Sequence, residues 1–139
     1  MQCAWPATMV RMKIHSHGEE DMQRNWDLIR MILLDLEEAK GEHRKAEEMP
    51  PFPADWVALH MKMMEEGGLI EGNDPGFLSG PPQFFALGLT WKGREFLDSI
   101  RTQSVWDKTK GLLREKGIGL TLDTIKAAVV TVVTQLLKS

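Results

Sequence analysis

At 139 residues the chain is long enough for one domain with its own hydrophobic core. Its 42% hydrophobic and 27% charged content excludes a disordered chain, and the single cysteine, Cys3, excludes an internal disulfide framework and fits a reducing cytosol. The net charge of −3 is unevenly spread: residues 1–91 hold 8 Lys/Arg against 15 Asp/Glu and residues 92–139 hold 9 against 5, an acidic front half that disfavours binding to phosphates.

No stretch approaches the roughly 18 apolar residues of a membrane span. The N-terminal segment is interrupted early by charge and lacks the apolar centre of a signal peptide. The expectation is a cytoplasmic protein.

Residues 1–21 show no clear periodicity and read as an N-terminal extension. His15, His17 and Glu19 carry donor atoms that suit a metal, but without a further ligand cluster they read as a solvated tail. Cys3 has no His or Asp partner set by the sequence and reads as an incidental thiol.

Residues 23–39 predict the first helix. Trp26, Ile29, Ile32, Leu33 and Leu36 recur at three- and four-residue spacing, and Gly41 offers a stop. Glu37 and Glu38 are adjacent on that helix and point about 100° apart, so they read as a solvated face and not a catalytic carboxylate pair.

Residues 40–53 read as a connector, with a charged turn of helix followed by Pro50, Pro51 and Pro53. They leave little room for the short positioning helix of a DNA-reading helix-turn-helix.

A second helix is predicted over residues 54–66, with Asp55 as N-cap or first-turn acid. Its inward residues are Trp56 or Val57, His60, Met61 and Met64, with His60 read as a packed, hydrogen-bonded histidine. Asp55, Ala58, Leu59, Lys62, Glu65 and Glu66 are expected outward, which gives that face a single cation.

Gly67-Gly68 then passes into a short strand at 69–71, and residues 86–90 form its partner. The intervening loop, rich in Gly and Pro, contains Phe77, Phe84 and Phe85. No Lys or Arg lies between Lys62 and Lys92. The phenylalanine rings either pack on the body or project, and projecting from a cation-free loop they would form a protein-binding patch, whereas a DNA-binding wing needs a basic tip.

Three more helices follow. Residues 91–101 are capped by Thr90 and turn Phe96, Leu97 and Ile100 inward. Residues 105–116 are capped by Ser104. Residues 122–138 are capped by Thr121. The apolar stripe of the last helix, from Ile125 to Leu137, either closes the core or pairs with a second copy of the chain.

Helix, strand, loop, strand, helix around Val57–Trp91 is the layout of a winged helix. The expected fold is mainly α with a small β-hairpin wing. Residues 22–139 would form one winged-helix domain with extra C-terminal helices.

The segments MQRNWDLIRMILLDLEE (22–38), VALHMKMMEEGGLIEG (57–72) and LTWKGREFLDSIRTQSVWDKTKGLLREKGIGLTLDTIKAA (89–128) resemble a family of small hypothetical proteins of bacteria, prophages and phages. That resemblance implies a winged-helix fold and a mobile-element setting. It implies no activity, no catalytic residues and no cofactor.

Two functions are weighed. The first is a non-enzymatic regulatory or accessory protein that binds another protein, a host or phage component, through Leu59, Phe77, Phe84 and Phe85, with pairing of two copies through the last helix. The second is a DNA-binding transcriptional regulator that grips phosphates with Lys62, Lys92, Arg94, Arg101, Lys108 and Lys110. No nucleophile, metal cluster or cofactor loop is legible, so no enzyme is expected.

Overall fold

Helix α1 runs over Trp26–Ala39 and packs against two of the later helices and the central strand of the sheet. It begins where Asn25 turns extended and its Oδ1 accepts the Leu28 N–H at 3.1 Å. It ends at Lys40, which adopts the left-handed conformation at φ 53°, ahead of the expected stop at Gly41. Trp26, Leu28, Ile29, Ile32, Leu33 and Leu36 are buried, so the spacing read from the sequence is the face that forms the core. The structure, a computed structural model, describes residues 24–75 and 83–138. Residues 1–21 and Phe77 therefore lie outside the described residues.

The expected helical turn after α1 is instead an edge strand, β1, at Arg44–Lys45. Two charged residues carry no apolar alternation, and edge strands tolerate that because one side faces water. The chain then makes a tight turn, with Met49 and Phe52 exchanging backbone hydrogen bonds at 3.0 and 2.7 Å. This turn buries Phe52 and leads straight into helix α2, Ala54–Glu66. Asp55 is its first-turn acid, while Pro53 occupies the N-cap without a side-chain bond.

Trp56, Val57, Ala58, His60, Met61 and Met64 are buried on α2. Ala58, expected outward, faces the core, since its small side chain lets α2 approach its neighbours closely. The helix closes on a Schellman turn. The Leu69 N–H reaches Met64 O at 2.9 Å, the Gly68 N–H reaches Glu65 O at 3.1 Å, and Gly68 sits at φ 82°.

Strands β2 (Ile70–Asn73) and β3 (Phe85–Leu89) follow. The sheet has three antiparallel strands in the order β1-β3-β2, one more than the expected hairpin. Arg44 opposes Ala86 and Ile70 opposes Leu89. The β2–β3 register shifts between Glu71 and Gly72, leaving Leu87 as an extra residue on β3, and Leu87 is exposed.

Helix α3 spans Trp91–Ile100. Thr90 caps it as the sequence predicts, its Oγ1 accepting the Gly93 N–H at 3.0 Å. The same hydroxyl donates to Gly68 O, so one threonine joins the end of α2 to the start of α3. Helix α4 spans Gln103–Glu115, two residues earlier than expected. Ser104 is therefore inside the helix, and Thr102 takes the N-cap position without a side-chain bond. Helix α5 spans Leu122–Lys138. Thr121 Oγ1 accepts the Thr124 N–H, and Thr124 Oγ1 accepts the Thr121 N–H, a reciprocal cap at its start.

Polar ties from α1 hold the C-terminal helices in place. Trp26 Nε1 donates to Leu120 O at 3.1 Å. Arg30 donates to the carbonyls of Ile100 and Arg101 at 2.9 and 2.7 Å, supplying the positive charge that the end of α3 lacks on its own last turn. Trp106 Nε1 and Lys110 Nζ both donate to Asp27 Oδ1.

Candidate interaction surface

Of the phenylalanines expected in a protein-binding patch, Phe84 does not reach solvent. Phe84 is 1% exposed, and its ring lies where a side chain at Gly72 would otherwise sit. It belongs to the core, and its assignment to a protein-binding surface is corrected. The Gly at 72 is the reason: without a Cβ, β2 leaves room for an aromatic ring to fold inward. Phe85 and Leu59 are half-buried, so each offers only part of its side chain outward. Phe77 lies outside the described residues.

Among the described residues the most exposed large apolar side chains lie elsewhere. On α5 the inward stripe of Ile125, Ala128, Val129 and Val132 is buried, and every described residue after Val132 is exposed. Val130 is 65% exposed, Leu136 42% and Leu137 82%. Beside this end of the helix, Lys108, Leu112, Glu115, Val132, Gln135 and Leu136 line an open groove of ≈ 390 Å³ between α4 and α5. Trp91, at the first position of α3, is 78% exposed. The sequence reading placed Leu136 in the stripe that either closes the core or pairs with a second copy, and it did not single out Trp91. Its signal was position: a residue at N1 of a helix stands on the rim of the first turn, outside the stripe that packs.

The cations predicted to grip phosphates are scattered, and most are engaged. Lys62 Nζ pairs with Asp74 at 3.1 Å, and that carboxylate raises the lysine pKa. Lys92 Nζ donates to Gly67 O at 3.2 Å at the end of α2. Arg101 forms a fork with Glu37, whose pKa it lowers, and a further bond to Asp98 at 2.6 Å. Lys110 pairs with Asp27 at 2.6 Å. Arg94 and Lys108 make no ion pair among the described residues, and they lie on different helices.

His60 is structural, as its position on the inward face predicts. It is fully buried and stacks on Trp56 at 5.7 Å. Nε2 accepts the Asn25 N–H at 2.9 Å, and Nδ1 lies 2.9 Å from Trp56 O, which requires Nδ1–H and a neutral ring. Burial lowers the His60 pKa, against a smaller opposing effect of the Trp56 carbonyl. Below the unfolded pKa of about 6.5 the unfolded chain takes up a proton that the folded chain refuses. Stability should therefore fall as pH drops from 6.5 towards the lowered folded value. Urea unfolding at stepped pH would show this slope, and His60→Gln, which keeps one donor and one acceptor, should flatten it.

Among the described residues no group of three or more His, Cys, Asp or Glu could hold a metal ion, and no helix is long and apolar enough to cross a membrane. His15, His17 and Glu19 lie outside those residues.

Residues 23–119, from α1 through α4, match the family described as hypothetical protein (DUF2513). The chain belongs to the DUF2513 family. An uncharacterized protein of Haemophilus influenzae is 40% identical over 119 residues, which cover 84% of this DUF2513 chain and 99% of that one. No solved structure matches the chain. The matched stretch contains the sheet, Trp91 and the Arg101–Glu37 fork, and α5 follows it.

Proposed function

We propose that this DUF2513 protein is a non-enzymatic regulatory or accessory protein of winged-helix type that acts by binding protein. The observation that carries the reading is the C-terminal end of α5, where Val130, Leu136 and Leu137 stand in solvent beside the α4–α5 groove. A helix end whose apolar residues stand largely in water gains little from its own hydrogen bonds and frays unless those residues are covered. A second copy of the chain is the proposed cover, because one helix face meeting itself about a two-fold axis satisfies both at once.

The winged-helix assignment is supported by the order helix, strand, helix, strand, strand and by the β1-β3-β2 sheet. The mobile-element setting follows only from the resemblance of the 22–128 segments to proteins of prophages and phages. A DNA-binding role is disfavoured because four of the six candidate cations are already bonded within the chain.

Sedimentation equilibrium tests the reading. The expected result is a concentration-dependent dimer that Leu136→Ser with Leu137→Ser weakens by more than about tenfold, given roughly 1.5–3 kcal/mol for each buried leucine. Because neither leucine is buried, the melting temperature of the monomer should hardly move. Binding to duplex DNA that weakens steeply between about 50 and about 200 mM salt, and again on Arg94→Ala, would overturn it in favour of a DNA-binding regulator.

A further inference from the structure

A second surface lies away from the end of α5. The C-terminal half of α1 and the Met49–Phe52 turn enclose an open groove of ≈ 670 Å³. Met31, Leu34 and Met49 form its floor, half-buried and packed against the core. Asp35, Glu38 and Glu48 also line it, together with the Arg101–Glu37 fork.

The charges divide into two kinds. Arg101 holds Glu37, and Arg44 lies 3.5 Å from Asp35. Glu38 and Glu48 are exposed and make no ion pair among the described residues. The result is an apolar floor flanked by two carboxylates that no cation among the described residues pairs. Methionine has no branched carbon and several soft rotamers, so a floor with two methionines adapts to more than one aliphatic side chain. The volume suits several side chains of a peptide, within the range of about 300–1,000 Å³ usual for binding clefts.

We propose that this groove binds a basic amphipathic segment of a partner protein, which seats aliphatic side chains on Met31, Leu34 and Met49 and sets Lys or Arg against Glu38 and Glu48. The proposal names the partner chemistry within the protein-binding reading, but it does not depend on pairing through α5. A dimer could fail and the groove still bind, or the reverse.

Fluorescence anisotropy of the full chain with a short fluorescein-labelled helix of leucine and lysine at amphipathic spacing tests it. Saturable binding is expected, with affinity lost about tenfold on the double reversal Glu38→Lys with Glu48→Lys. The equal charge change Glu65→Lys with Glu66→Lys, at the exposed end of α2, should leave affinity within about twofold, since neither carboxylate lines the groove. A peptide of the same charge with serine in place of leucine should bind about tenfold more weakly. Absence of binding overturns the proposal. So does an equal loss on both double reversals, which marks diffuse attraction, or equal binding of the serine peptide, which removes the apolar floor from recognition.

Discussion

Gly93→Ala should destabilise the fold by about 3 kcal/mol or more, although alanine is the better helix former. Gly93 lies in the first turn of α3 and is buried against the backbone of Leu69. A methyl group built on it would overlap the Leu69 carbonyl oxygen and come within 2.9 Å of the carbonyl carbon. The obstruction is main chain, so no rotamer change relieves it. Leu69 cannot retreat cheaply: its N–H is bonded to Met64 O and its carbonyl accepts the Thr90 N–H at 3.1 Å. Relief requires α3 to lift from the α2–β2 junction, opening the Thr90 cap and the contacts of Phe96 and Leu97. A loss of this size is a large share of the roughly 5–15 kcal/mol that holds a domain folded. Chemical denaturation would read it as a lower midpoint, with Gly111→Ala as the control. Gly111 has open space around its Cβ position, so that change should be neutral to stabilising by up to about 1 kcal/mol. If Gly93→Ala melts like the parent, the close approach of α3 to Leu69 is wrong.

The same junction shows what the sequence could and could not reveal. Periodicity announced α1, α2 and α3, because their stripes are spaced for a helix and bounded by Asn25, Gly67-Gly68 and Thr90. The Schellman turn and the threonine cap rest on residue types with few other uses at those places. Strand β1 was hidden. Arg44 and Lys45 have no apolar alternation, and they become a strand only because β3 has an open edge beside them. Phe84, offered for the protein-binding patch with packing on the body as the other reading, was hard to place for a related reason. Nothing along its own Gly-Pro loop decides between the two, and Gly72 on the neighbouring strand leaves the place for its ring. Both cases concern long-range pairing, which spacing along one segment does not encode.

The candidate surfaces were legible to a smaller degree. The apolar character of α5 was plain, but not which turns lie beyond the body of the protein. That depends on how far α4 extends beside it. The acidic groove was invisible, because Met49 and Glu48 come from a proline turn and Met31, Leu34 and Glu38 from α1. Charge pairing was equally hidden: Lys62, Arg101 and Lys110 looked available, and their partners Asp74, Glu37 and Asp27 lie 12 to 83 residues away in sequence.

Trp106→Ala should cost about 3–5 kcal/mol, the expected range for deleting a buried tryptophan. Trp106 is 1% exposed on α4, and its Nε1–H donates to Asp27 Oδ1 at 2.8 Å. The same oxygen takes Lys110 Nζ at 2.6 Å. Partial burial acts to raise the Asp27 pKa, and the bonds from Lys110 and Trp106 outweigh it, so the carboxylate ends below its usual range. Truncation therefore removes two things at once: a large aromatic body from the core, and one of the two donors on Asp27. Trp106→Phe separates them, keeping most of the volume while losing the donor, and should cost roughly half as much. Asp27→Ala leaves the indole N–H without its acceptor and should cost about 1–2 kcal/mol. Because the two groups share one bond, the double change Trp106→Phe with Asp27→Ala should cost less than the sum of the single changes. The sign of Asp27's shift adds a pH signature. A lowered folded pKa stabilises above the unfolded value near 3.9, and that contribution is lost as pH falls through the folded one. Asp27→Ala should therefore flatten the acid limb of the stability curve while leaving the His60 limb, nearer pH 6.5, in place. Additive losses in the double variant, or an acid limb unchanged by Asp27→Ala, would mean that α4 is held to α1 by packing alone.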